Sequence, residues 1–330
     1  RSELPMIETY MQRFPQGIQL GELMDWDEIK PNDIIEYTYK DVFSRMPEGS
    51  TENVYNLVVT YPNTYTPLLI ETLCDTIIQK NIFPNLKQQN LYAIPESDAV
   101  VAYYVNESII NGEGLEGKEC QTIVIYDMGA GTLDLSLAKL EKKGDKLDIC
   151  IEKRIGVPIG GAYISEVIYD FLESEQFFES IPDSDTDDTK KQKLNLRREF
   201  VETLKCNWEK EYNYEENTVL ATGKTINADT FKTSDELNAI LSLCTNDILG
   251  YLVGKKDWKD SIDKVVFSGR GSKFIPIRKR IEEIIGHEKL FSVEPLKTCV
   301  AIGAIQYQRI IKDDNSPFSI KHLNTHQNIG

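Results

Sequence analysis

Hydrophobic positions recur along this chain with two periods, and each change of period marks an element. Residues 55–62, Y-N-L-V-V-T-Y-P, form an apolar run stopped by proline and are predicted to be a strand. Leu69, Ile70, Leu73 and Ile77 then fall at helical spacing over 66–79. A strand at 90–94 and a small-residue helix at 97–105 repeat that order. From Ile123 to Tyr126 a strand runs to Asp127, breaks into small residues and restarts at Leu133. Leu133, Leu135 and Leu137 lie on one face of the restarted strand, and Asp134 and Ser136 on the other. A third strand is predicted at 147–155 and a helix at 161–172, opened by Gly160 and Gly161. Beyond an acidic loop at 180–188 come a charged helix at 189–212, a hairpin at 217–228 and a long helix at 233–252. A core strand at 263–268, an amphipathic helix at 275–285 and a helix at 298–311 complete the pattern. Residues 1–50 read least clearly: a helix over 6–14, a strand or strand pair over 34–42 and a loop at 46–50. Strands alternating with helices predict an α/β protein.

The turn at 127–132 carries the chemistry. Gly129 and Gly131 lack Cβ atoms, so the turn is free to take positive φ and to present successive N–H groups to an anion, as phosphate cradles do. Asp127 ends a buried strand, where a carboxylate meets a magnesium ion or its waters; Thr132 adds a hydroxyl donor. A plain hairpin whose glycines only make the turn is the competing reading. Gly160 and Gly161 start a helix whose free N–H groups suit phosphate, or else allow close packing of helix on sheet. The stretch G-E-G-L-E-G-K-E from Gly112 to Glu119 mimics dinucleotide and P-loop motifs. It lies after a helix and before a strand, the reverse of what those motifs need, and reads as an acidic inter-lobe loop.

Composition narrows the partners. At 330 residues the chain has room for two lobes, and 41% hydrophobic with 27% charged residues is a globular balance. A formal charge of −16 opposes nucleic acid and acidic membrane surfaces. No apolar run approaches the roughly 20 residues of a membrane helix. Six scattered cysteines without a C-x-x-C pair suggest neither a zinc site nor a disulfide scaffold, and fit a cytoplasmic compartment. His322 and His326 stand at helical spacing but lack a third ligand, so they read as bystanders.

Four stretches, in order, resemble the actin, sugar-kinase and DnaK-type heat-shock chaperone superfamily. D-M-G-A-G-T-L-D-L-S from Asp127 to Ser136 is similar to the second phosphate loop in its DnaK-type form. Ile155 to Gly161, Val265 to Pro276 and Val300 to Ala304 resemble the Gly-Gly helix start, the adenosine loop and the closing helix. The resemblance implies a two-lobed actin-like ATPase fold with a ribonuclease H-like motif, its mixed sheets flanked by helices. Residues 1–119 would be an incomplete first lobe and 120–311 the second lobe, with 161–256 as its smaller adenosine-contacting subdomain and 312–330 as a tail. No Gly-rich turn after an Asp-ended strand occurs in residues 1–50, where the family carries its first phosphate loop. By this resemblance the cofactors are ATP or ADP with Mg²⁺. Asp127 would hold hydrated metal, Asp134 would orient or deprotonate water, and Glu96 would stand in for the water-ordering Glu, whose gapless match is Pro95. Gly129, Ala130, Gly131 and Thr132 would hold phosphates, with Gly160 and Gly161 facing them. Glu202, Lys205, Gly269, Gly271, Ser272 and Lys273 would hold adenosine, with Arg270 or Lys273 stacking on the base. Cys206 stands where the family usually places an arginine, and the Asp expected near Pro295 is absent. The implied function is the ATP-binding domain of a DnaK-like chaperone, with protein clients and co-chaperones as partners and hydrolysis dependent on the missing loop. The alternatives are a non-hydrolysing nucleotide-binding assembly module and a small-molecule kinase.

Overall fold

The computed structural model describes residues 31–45, 47–109, 115, 118–207, 218–219, 222–226, 230–296 and 298–323. The helix predicted at 6–14, most of the loop at 112–117 and His326 lie outside them. The first described element is a helix, α1 (Pro31–Ser44), where a strand is predicted at 34–42. The run of β-branched and aromatic residues mimics a strand, but Ile35, Tyr39 and Phe43 recur every four residues and pack as one face, with Tyr39 and Phe43 edge-on against Phe83. Strand β1 (Leu57–Tyr61), helix α2 (Pro67–Gln79), strand β2 (Leu91–Pro95) and helix α3 (Glu96–Tyr104) follow as predicted. β1 and β2 pair in parallel. Thr66 caps α2 through a bond from the Leu69 N–H, and Pro67 fills its first turn, where a missing N–H costs nothing.

The larger sheet has six strands. β3 (Cys120–Met128), β4 (Leu133–Lys143) and β5 (Lys146–Val157) form an antiparallel meander. β8 (Lys264–Ser268) lies parallel to β3, and β9 (Leu290–Ser292) parallel to β8. Helix α8 (Ile275–Ile285) connects those two, and α9 (Cys299–Lys312) follows β9. The order β1–α2–β2–α3 thus recurs as β8–α8–β9–α9. The final helices of the two units pack on each other so closely that a Cβ on Gly303 would stand 2.0 Å from the Ala99 carbonyl oxygen. Residues 318–322, taken as tail, instead form an edge strand, β10 (Phe318–His322), parallel to β5. His322 is tied in: its Nδ1 lies 2.5 Å from Arg154 and its Nε2 2.5 Å from the Tyr307 hydroxyl.

The six-stranded sheet separates two cores. Val124, Tyr126, Met128, Leu133, Leu135, Leu137 and Phe267 face helices α4 (Gly161–Ser174), α6 (Asp235–Ser242), α7 (Ile248–Val253) and α8. Ile123, Ile125, Ala138, Leu140, Ile149 and Val266 face α3 and α9. The helix predicted over 233–252 is resolved into α6 and α7, joined by a π-turn at Leu243–Asp247. Helix α5 (Asp187–Cys206) lies against α4. In the predicted hairpin at 217–228, β6 (Thr218–Val219) pairs antiparallel with β7 (Thr225–Ile226).

Candidate functional site

Alternation along β3 and β4 decides where the carboxylates go. Asp127 continues the face of Ile123 and Ile125, and Asp134 that of Ser136 and Ala138. The two are direct cross-strand partners in an antiparallel pair. Like charges in that position destabilise a sheet, so stability alone does not account for the pair. Both are buried, at 5% and 1% exposure. Asp134 accepts the Asn63 backbone N–H at 2.5 Å and the Thr132 hydroxyl at 2.7 Å. The first-unit helix α3 brings Glu96 to the same place. Pro95 ends β2, and it is Glu96 that stands within electrostatic reach of the aspartates: its charge raises Asp134, and that of Asp127 raises Glu96.

No lysine or arginine among the described residues pairs with any of the three, so burial dominates their titration. It pushes Asp134 up to about 8, with Glu96 and Asp127 adding repulsion against the bonds from Thr132 and Asn63. Burial, then Asp127, raises Glu96 to about 7. Burial raises Asp127 to about 6, opposed by a hydrogen bond from Ser268. Hard oxygen donors that lack a cation form the donor set magnesium prefers. Among the described residues no three His, Cys, Asp or Glu side chains are grouped to ligate a metal directly. Magnesium nevertheless fits, because it keeps most of its waters and uses only one or two carboxylates.

Three backbone segments converge beside this cluster. At the tip, the Gly129 N–H closes the turn on the Thr132 carbonyl at 2.9 Å, while Ala130 and Gly131 are exposed. Gly129 and Gly131 are not among the residues of positive φ, contrary to the sequence expectation; Gly269 is, at +73°. A Cβ on Gly131 would meet nothing within 4 Å, so no contact within the fold requires glycine there. The start of α4 docks onto the tip: the Gly161 and Ala162 N–H groups donate to the Gly129 and Ala130 carbonyls at 2.9 and 2.8 Å. A Cβ on Gly160 would lie 2.4 Å from the Ala130 oxygen. From the other side comes 269–272, where a Cβ on Gly269 would lie 2.5 Å from Asp127 Oδ1 and one on Gly271 2.8 Å from the Gly129 oxygen.

A family model for the Hsp70 protein matches residues 105–324, more than half of the chain. The chain belongs to the Hsp70 family. Its α/β fold is the two-lobed, actin-like architecture of that superfamily, and the match covers the whole six-stranded sheet.

The remaining expected site residues fall around the same loops of this Hsp70-family chain. Lys205 on α5 donates to the Gly161 carbonyl at 2.6 Å, Ser165 at 2.7 Å and Glu202 at 2.8 Å, so the E-x-x-K pair ties α5 to the start of α4. Cys206 lies 3.4 Å from Glu202 and feels the charge of Arg270. Ser272 is buried and donates to the Gly269 carbonyl at 2.7 Å. Lys273 points instead toward Glu294, 4.0 Å away. Two cavities of about 300 and 340 Å³, beside α1 and α5, do not touch these loops. Sequence reasoning missed Asn63. Besides its N–H to Asp134, its side chain donates to the Leu135 and Ile155 carbonyls at 3.0 and 3.1 Å, tying the end of β1 to β4 and β5. No spacing rule reaches such a contact, because its partners lie more than seventy residues away in sequence.

Proposed function

We propose that this Hsp70-family chain binds Mg-ATP or Mg-ADP between its two βαβα units. The observation that carries this is the open space above Gly131, next to the buried Asp127 and Asp134 and the half-buried Glu96, none of which has a cationic partner among the described residues. Main-chain N–H groups of the exposed tip, at Ala130, Gly131 and Thr132, hold the phosphates, while the start of α4, whose Gly161 and Ala162 N–H groups bond to the tip carbonyls, fixes the turn that presents them. Adenosine lies between Glu202 and Lys205 on one side and Gly269, Gly271 and Ser272 on the other. Arg270, within electrostatic reach of Cys206, suits the base-stacking role better than Lys273, which faces Glu294. Asp127 takes hydrated magnesium, which when bound neutralises phosphate charge. Glu96 and Asp134, raised to about 7 and 8, titrate where a carboxyl both accepts and gives up a proton, which suits ordering and deprotonating an attacking water. In this reading residues 1–119 belong to the first lobe, 120–311 to the second, and 161–256 contact adenosine. Clients and co-chaperones are the expected partners.

Calorimetric titration of ATP with and without Mg²⁺ tests the reading on wild type and Asp127→Asn. Binding with a magnesium-dependent gain that the variant lacks supports it; no ATP binding by the wild type refutes it. Nucleotide binding without turnover is the second reading, favoured by the thiol of Cys206 at the adenosine side. Steady-state phosphate release separates the two.

A further inference from the structure

A single row of residues crosses the sheet at the tip: Gly156 on β5 opposite Asp134, Asp134 opposite Asp127, and Asp127 opposite Ser268. Two of the four, Asp127 and Asp134, have the roles proposed above. Ser268, the last residue of β8, is fully buried, yet a hydroxyl in that position gains nothing from burial unless it is bonded. Ser268 is the register partner of Asp127 on the neighbouring parallel strand, where its hydroxyl favours the ionised Asp127 carboxylate, and the Cys299 sulfur, at the start of α9, lies 3.3 Å from its Oγ. With Asp127 ionised, the hydroxyl proton points to the carboxylate, and the Cys299 sulfur, whose thiol proton also has the Leu296 carbonyl at 3.5 Å as an acceptor, packs against the serine oxygen. The next residue, Gly269, lies so close that its absent Cβ would stand 2.5 Å from Asp127 Oδ1. Asp127 is therefore confined by Gly269 and anchored by Ser268, while its cross-strand neighbour Asp134 is a like charge that repels it.

We infer that Ser268 is a positioning residue, whose hydroxyl holds the Asp127 carboxylate toward the cleft for hydrated magnesium, backed by the thiol of Cys299. This rests on the nucleotide reading above and adds the device that aims its metal-facing group. Groups bonded to a metal-facing carboxylate set its orientation, and losing one typically weakens metal binding about 10–100-fold.

The test is the ratio of ATP affinities with and without Mg²⁺, measured by calorimetry on the full 330-residue chain, with urea unfolding of each variant alongside. Ser268→Ala removes the hydroxyl and little volume; the ratio is expected to fall about tenfold or more. Ser268→Thr keeps the hydroxyl but adds a methyl group to a packed interior, so it is expected to lose stability while keeping most of the ratio. A purely structural role predicts the opposite ranking. The inference is overturned if Ser268→Ala keeps the wild-type ratio, or if the ratio follows stability across both variants. Asp127→Asn separates this failure from failure of the nucleotide reading. If Asp127→Asn loses the magnesium-dependent gain while Ser268→Ala keeps it, the site stands and the positioning role falls. If the wild type shows no gain, both fall.

Discussion

Two glycine-to-alanine changes at the tip should separate what holds the fold from what holds the ligand. At Gly160 the added Cβ would lie 2.4 Å from the Ala130 oxygen and 2.5 Å from its carbonyl carbon, where ordinary contact starts at 3.4 Å, so one backbone must retreat by about 1 Å. Both are pinned, because the Gly161 and Ala162 N–H groups bond to the tip carbonyls. Overpacking costs about 1–3 kcal/mol, and weakening one of those bonds about 1 kcal/mol more, giving roughly 2–4 kcal/mol for Gly160→Ala. At Gly131 the methyl group meets nothing within 4 Å and φ is not left-handed. Stability should stay within about 0.5 kcal/mol, or rise slightly as the unfolded chain loses freedom. The same methyl group would occupy the space assigned to phosphate, so ATP affinity should fall at least about tenfold, roughly 1.4 kcal/mol. Urea denaturation and calorimetric titration of both variants give the two axes. Normal ATP binding by Gly131→Ala would remove phosphate from the tip, and wild-type stability in Gly160→Ala would mean that α4 does not buttress the turn.

Three further outcomes follow from the same contacts. Asp134, Glu96 and Asp127 all titrate higher when folded, so their stabilising contribution is complete below about pH 4 and is lost as pH rises through about 6 to 8. The loss for Asp134 alone is up to about 1.4 kcal/mol per pH unit in that window. Asp134→Asn should flatten the decline in urea midpoint above pH 4, and an unchanged slope would refute the assignment. Arg154→Ala strands Asp98, which has no exposed side-chain surface and is bonded bidentately by that guanidinium; it should cost about 3–5 kcal/mol by urea denaturation. Gly303→Ala forces apart the helices that meet at Ala99 and should cost about 2 kcal/mol or more, whereas Gly144→Ala, which meets no neighbour but has φ +63°, should cost less; equal values would refute the seam.

Local pattern revealed those parts of the fold whose stability is itself local. Ile70, Leu73 and Ile77, or Leu133, Leu135 and Leu137, reveal their element because one face of each must be apolar. The helix at Pro31–Ser44 misled because Ile34, Ile35, Tyr37, Tyr39 and Val42 satisfy a strand's preferences as well as a helix's, and only packing on Phe83 decides. Phe318–His322 has two apolar residues in five and owes its form to pairing with β5, a partner about 170 residues away in sequence. The D-x-G-x-G-T motif drew attention to Asp127. Asn63 and Ser268 carry no such mark, because an isolated polar residue gains meaning only from the partner the fold sets beside it.

Glu96 is carried by the two-stranded unit, while Asp127 and Asp134 belong to the six-stranded one. Like charge therefore acts across the join between the halves, against the packing that holds them together at Ala99 and Gly303. A cation held there would offset that repulsion, so neutralising the carboxylates and tightening the join would be one and the same gain.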